Sequence, residues 1–195
     1  MKCLLYLLLT KPQIMKKQLL FPALFLLLVS AFSISSCTKE PVTVKYGLSE
    51  VEVCLPADPY QAYHELTHVV QQSEIKAAVE AAGGKWDVSL IKKATMNNFK
   101  AVVTTNGVNL NDIATVEVYI KDDNTTGNGT QVAYSENIGD GATETTLKLN
   151  GTDLKEFLSK DHFTLLIRIL NKENGNAPVC VTVKEGTMDL EVSSK

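Results

Sequence analysis

The sequence predicts an all-β fold: an antiparallel β-sandwich, Ig-like or jelly-roll-like, with eight or nine strands and two short helices. Three observations predict it. Runs with an apolar residue at every second position dominate from residue 46 onward. Turn signals rich in Asn, Asp and Gly recur at short spacing between those runs, as sandwiches require. Long helical patterns do not alternate with the strands, which argues against a parallel α/β sheet.

The first strand is expected over residues 46–55. A long one follows over 90–105, with Phe99, Ala101 and Val103 on one face and a bulge at Asn97-Asn98. Asn106-Gly107 then marks a turn. Residues 115–121 alternate cleanly, setting Val116, Val118 and Ile120 inward and Glu117, Tyr119 and Lys121 outward. Further strands are expected over 131–135, 144–149, 162–170, 178–184 and 187–193. Phe163, Leu165, Ile167 and Ile169 make the strongest inward stripe. One helix is predicted over 74–82, between an N-cap Ser73 and the Gly83-Gly84 stop. The other begins at the capping-box pattern Asp153-Leu154-Lys155-Glu156, with Leu154, Phe157 and Leu158 as its apolar face.

Ahead of this domain lies a leader. Met15-Lys16-Lys17 gives a positive start, and residues 19–32 give an apolar run of 14, short of the ~20 a membrane span needs. Translation from Met15 accounts most simply for the interrupted apolar patch of residues 1–14. Ile34-Ser35-Ser36-Cys37 closes the leader and resembles the lipobox of bacterial lipoproteins. That resemblance implies cleavage before Cys37, diacylation of its thiol by chains such as palmitate, and attachment to a membrane through the N-terminal lipid. Residues 1–36 are then the signal peptide, 37–44 a tether and 45–195 the sandwich domain. Thr38 stands where an aspartate commonly retains lipoproteins in the inner membrane, so the expected address is the outer membrane, facing the surface or periplasm.

The chain from Cys37 on has 159 residues, enough for one domain. Its net charge is −7, because four lysines leave with the leader and no acid does. A negative chain without a basic cluster excludes nucleic acid as a partner, since phosphate contacts need Lys and Arg. Cys54 and Cys180 both point away from the valine faces of their strands. An exported protein meets oxidising conditions, so a cross-strand disulfide between them is expected, closing a loop of more than 100 residues.

His64-Glu65-Leu66-Thr67-His68 matches the H-E-x-x-H pattern. On a helix, His64 and His68 would share one face as zinc ligands, with Glu65 as general base. Residues 64–72 resemble the active-site helix of zincin-like peptidase domains, and Asp58-Pro59 offers a helix start. A zinc-dependent metallopeptidase is therefore the alternative function, with zinc as its cofactor. Against it, no third ligand stands out, and His162 follows 94 residues later in an expected strand. The β-branched Thr67, Val69 and Val70 favour a strand with Leu66, His68 and Val70 on one face, which would hold the imidazoles ~13 Å apart at ~3.3 Å per residue.

The loop over residues 122–129 partly imitates a calcium loop, but its twelfth position is Ala133 rather than Glu, so a hairpin tip is the preferred reading. Trp86 is expected at the rim of the core, with sugar stacking as the alternative.

A longer resemblance covers about 100 residues. Its pieces are Leu90-Ile91-Lys92-Lys93-Ala94-Thr95, then Leu110-Asn111-Asp112-Ile113-Ala114-Thr115-Val116-Glu117-Val118-Tyr119-Ile120. Val132-Ala133-Tyr134 and the 152–165 stretch continue it. Together they resemble a group of lipoproteins common in Bacteroidetes. The resemblance implies a signal-bearing β-sandwich whose segment at 64–72 is a strand without metal ligands. The expected function is a non-enzymatic binding or scaffolding module, without cofactor, whose partner is a glycan or an envelope protein.

Overall fold

The computed structural model describes residues 41–57, 61–172 and 178–193, all within one compact unit, Lys39–Lys195. The leader, Cys37, the tether up to residue 40 and the Asp58-Pro59 pair lie outside the described residues.

Twelve strands and one α-helix stand among the described residues. In chain order they are β1 (Val42–Gly47), β2 (Val51–Leu55), β3 (Tyr63–Gln71), α1 (Gln72–Ala81), β4 (Ile91–Asn97), β5 (Lys100–Val103) and β6 (Ile113–Lys121). Then follow β7 (Thr130–Tyr134), β8 (Glu144–Thr146), β9 (Lys148–Leu149), β10 (His162–Asn171), β11 (Val179–Lys184) and β12 (Thr187–Val192). Three antiparallel sheets result, ordered β3-β10-β6-β7-β9, β2-β11-β5-β8 and β1-β12-β4. The arrangement is all-β and sandwich-like, around one apolar core to which all three sheets contribute.

The two smaller sheets are one bent surface. Between the pairs Leu55–Val179 and Gly47–Thr187 both chains advance eight residues. Between Val103–Val181 and Asn97–Thr187 both advance six. No residue is gained or lost, so the strands bend together without slipping register. The bend is made by Asn98 and Glu185, the two non-glycine residues with positive φ among the described residues, both at 59°. The expected bulge at Asn97-Asn98 is thus a left-handed kink without an extra residue. The expected strand over 46–55 is likewise two strands, and β1 starts at Val42 inside the stretch assigned to the tether, with Val44 buried.

Phe99 is the pivot of this bend. Its carbonyl accepts the Leu147 N–H at 2.9 Å, which fixes the point where the chain passes from β8 in one layer to β9 in the other. The Leu48 N–H donates to the Gly186 carbonyl at 2.8 Å on the far side. A Cβ on Gly186 would run into the Phe99 ring. Gly186→Ala is therefore expected to cost about 1–3 kcal/mol through overpacking, read from the urea midpoint, and Phe99→Leu in the same chain should recover part of it.

The helix differs from expectation at its start. α1 leaves β3 directly, with Gln71 at the N-cap and no side-chain cap, so Ser73 does not serve. Instead Glu74, in the first turn, accepts the Tyr46 hydroxyl at 2.6 Å and ties the helix to β1. Burial, then the hydrogen bond and charge of Glu74, push the Tyr46 phenol well above its ordinary range. The stop follows the sequence. Gly83 takes φ 81°, and the Gly84 and Gly83 N–H groups donate to Val79 and Glu80 carbonyls at 2.9 and 3.0 Å, a Schellman closure.

The second expected helix is a 3-10 segment, Lys155–Ser159. Leu154, Phe157 and Leu158 are buried as the pattern requires. The Asp153 carboxylate accepts the N–H groups of Lys155 and of Ala94 in β4, at 3.1 and 3.0 Å. That second bond pulls the segment onto the sheet and replaces the longer helix.

Candidate functional site

The disulfide forms where the alternation puts it. Cys54 and Cys180 are direct cross-strand partners in β2 and β11, with an S–S distance of 2.06 Å, while Val51, Val53 and Leu55 turn inward. Glu52 lies beside them. Among the described residues this trio is the one group of metal-capable side chains within 4.8 Å of one another, and both of its sulfurs are already bonded.

His64, Glu65 and His68 lie on an extended strand, β3, facing Ile169, Arg168 and Leu165 of β10. The two imidazoles share the inward face, four residues apart along the strand, and join no group of metal-capable side chains among the described residues. The His64 Nε2 is shielded from solvent and has no hydrogen-bond partner among the described residues. Glu65 faces the opposite way and serves as an ion-pair partner.

That partner is Arg168, the single arginine of the chain. It interrupts the apolar run of β10 on the outer face of the five-stranded sheet. The register sets it directly between Glu65 of β3 and Glu117 of β6. Its Nε donates to Glu65 Oε1 at 2.7 Å, and a terminal nitrogen lies 3.8 Å from Glu117 Oε2. The guanidinium stacks 3.9 Å from the centre of the Tyr63 ring and lies 5.9 Å from that of Tyr119. Its side chain is only 14% exposed. Burial works against the charge, yet Glu65, Tyr119 and Glu117 together raise the guanidinium above its ordinary range.

The network continues across the sheet. The Tyr119 hydroxyl donates to Glu117 at 3.2 Å, and Gln131 Nε2 donates to the Tyr119 oxygen at 3.3 Å. Asn150 Nδ2 donates to the Gln131 carbonyl at 2.9 Å. Burial first, and Glu117 second, push the Tyr119 phenol upward. Tyr134, opposite Glu117, adds a third ring to this face, with Lys148 Nζ 5.9 Å from its centre. Below these groups Leu166 is buried between its cross-strand neighbours Thr67 and Tyr119. The result is an open surface of three tyrosines and fixed polar groups on a rigid sheet. Arg168→Met is expected to cost about 1–3 kcal/mol, because two carboxylates lose a charged donor; the urea midpoint checks it.

A second polar feature sits at the end of β6 and β10. The residue 122–129 hairpin loop and the Lys155–Ser159 segment enclose a cleft of about 310 Å³, lined by Asp122, Asp123, Lys160 and His162 among others. Polar groups meet within it: His162 Nε2 lies 3.1 Å from Asp123, and Lys160 Nζ 3.8 Å from Asp122. Asp122 also accepts the Thr125 hydroxyl and the Asn124 N–H. The Thr125 bond is the main reason its carboxyl sits below the usual range. Trp86 is partly buried against the core, at the rim.

Sequence reading identified the disulfide and the extended state of residues 64–70, but missed the Arg168 face. The available signal was a lone arginine within Leu165-Leu166-Ile167-Arg168-Ile169-Leu170, since a charge in an apolar run needs a partner. No helix among the described residues is long and apolar enough to cross a membrane. No protein-family model matches the chain, and no curated protein matches it.

Proposed function

We propose that this chain is a lipid-anchored protein of the outer membrane that binds a glycan at the Arg168 face without catalysing a reaction on it. The observation that carries the reading is the grouping of Tyr63, Tyr119 and Tyr134 around the paired guanidinium on one open sheet surface. Tyrosine rings offer apolar faces to sugar C–H groups, while their hydroxyls, Glu117 and Gln131 offer hydrogen bonds to sugar hydroxyls. The groups are already fixed to one another, so little ordering cost accompanies binding. Support for the anchor is Ile34-Ser35-Ser36-Cys37 alone. Support for a non-catalytic role is the spread of His64 and His68 along a strand.

The connectivity favours a jelly roll over an Ig-like sandwich. If β1/β2, β4/β5, β8/β9 and β11/β12 each count as one run, the chain makes eight runs. The first run pairs with the eighth, the second with the seventh, the third with the sixth and the fourth with the fifth. That is a long hairpin rolled on itself, an architecture that also serves lectin domains; the analogy is of fold alone.

Two measurements test the proposal. Labelled palmitate should enter the wild-type chain and not Cys37→Ser; equal labelling removes the anchor. On a glycan array the wild type should bind, and Tyr63→Ala should lose about tenfold in affinity, roughly 1.4 kcal/mol, with an unchanged melting temperature. Absence of any glycan signal removes the ligand class.

A further inference from the structure

Every large hydrophobic side chain left widely exposed among the described residues lies on β3: Tyr63 at 47%, Leu66 at 41% and Val69 at 47%. β3 is the edge of its sheet. It pairs with β10 along one side, without a register shift, and with no strand along the other among the described residues. The ends of that ladder show which backbone groups are free. Gln72 N–H donates to the Asp161 carbonyl and Asn171 N–H to the Ala62 carbonyl. Even-numbered residues therefore turn their N–H and C=O toward β10, and Tyr63, Glu65, Thr67, Val69 and Gln71 turn theirs to the open edge. The strand has no proline, lysine or bulge, the usual protections against edge pairing.

We propose that β3 pairs antiparallel with β3 of a second copy of this chain, about a two-fold axis through Leu66. The exposed side chains select this register, because Tyr63 and Val69 lie three residues either side of Leu66. Leu66 then faces Leu66 of the second copy, and each Tyr63 faces a Val69. All three exposed hydrophobics are matched with one another, as an isologous interface requires. The Leu66 pair falls at a non-hydrogen-bonded position, where side chains approach most closely, and the four flanking pairs supply about eight backbone hydrogen bonds.

Charge fits as well. The chain from Cys37 on carries −7, so most surfaces of two copies would repel, but β3 has a single charge, Glu65, already held by Arg168 of its own chain. In this register Glu65 faces Thr67, and no like charges meet. His64 faces His68 of the second copy, two side chains of the same kind, and no carboxylate meets another there. One strand pair buries less than the ~1,200 Å² of a stable interface, so the dimer is a reversible one. It joins two five-stranded sheets into one and sets their Arg168 faces side by side. The inference stands whether or not that face binds a glycan.

The test uses the full chain with one added cysteine at a time under mild oxidation. Leu66→Cys should give a disulfide-linked dimer on a non-reducing gel. Thr67→Cys, which the register sets against Glu65, should give no more than the wild type, whose native thiols define the background. In sedimentation the wild type should show a concentration-dependent dimer, weakened about tenfold or more by Val69→Lys at an exposed site with the melting temperature unchanged. Equal cross-linking at 66 and 67, a wild type that stays monomeric at high micromolar concentration, or Leu66→Cys linked only to a different protein would each overturn the proposal.

Discussion

Replacing Cys54 and Cys180 together by alanine should lower the unfolding free energy by about 2–5 kcal/mol. The bridge joins residues 126 apart, so it removes a large closure entropy from the unfolded chain. In the folded state it joins residues that already face each other across β2 and β11. Hydrogen bonding between those strands remains after the change, and the alanines fit the same positions. The folded structure should therefore persist with native circular dichroism while the urea midpoint falls and the slope stays constant. Reduction of the wild type should reproduce the loss. A midpoint unchanged by both treatments would mean the bridge does not form in the protein.

Phe163→Ala should be of similar size, about 3–5 kcal/mol. Phe163 is 1% exposed at the start of β10, the strand between β3 and β6, and it lies opposite Val70. It heads the stripe Phe163, Leu165, Ile167 and Ile169, all buried in the shared core. Deleting the ring leaves a void that neighbours on a paired central strand cannot close by moving, so the cavity cost adds to the lost transfer energy. Phe163→Leu should recover more than half of the loss. The thermal midpoint of the pair of variants reads this directly, and a loss below about 1 kcal/mol for Phe163→Ala would place the side chain outside the core.

The parts of this fold legible in the sequence are those where one face is buried and the other wet. Val116, Val118 and Ile120 read correctly, as did the opposed cysteines, because alternation alone sets their direction. Residues 64–70 read as a strand for a related reason, since Thr67, Val69 and Val70 outweigh a five-residue motif. Alternation did not suffice everywhere. It runs through Val42, Val44 and Tyr46, yet the polar residues before them made that stretch look like tether. Leu166 faces outward and is still buried, because its cover comes from Thr67 and Tyr119 on other strands. The Arg168 network was beyond reach for the same reason. Its partners Glu65 and Glu117 lie 103 and 51 positions away in sequence, and only the strand register brings them together. Asp153 shows the limit of a local motif: its carboxylate accepts the Lys155 N–H two residues on, not the Glu156 N–H a capping box would use, and it also accepts the N–H of Ala94 in β4.

The first pair of the bent surface, Val42 with Val192, sets the first and last described strands side by side, and Cys54 with Cys180 locks its far extremity. Among the described residues, a pull exerted from the N-terminal side loads β1 against β12 before any other strand pair. Peeling that begins there halts at the covalent staple, with the other layer still shielded behind it. With the proposed N-terminal anchor, the chain is reinforced at the point where tearing would otherwise run on.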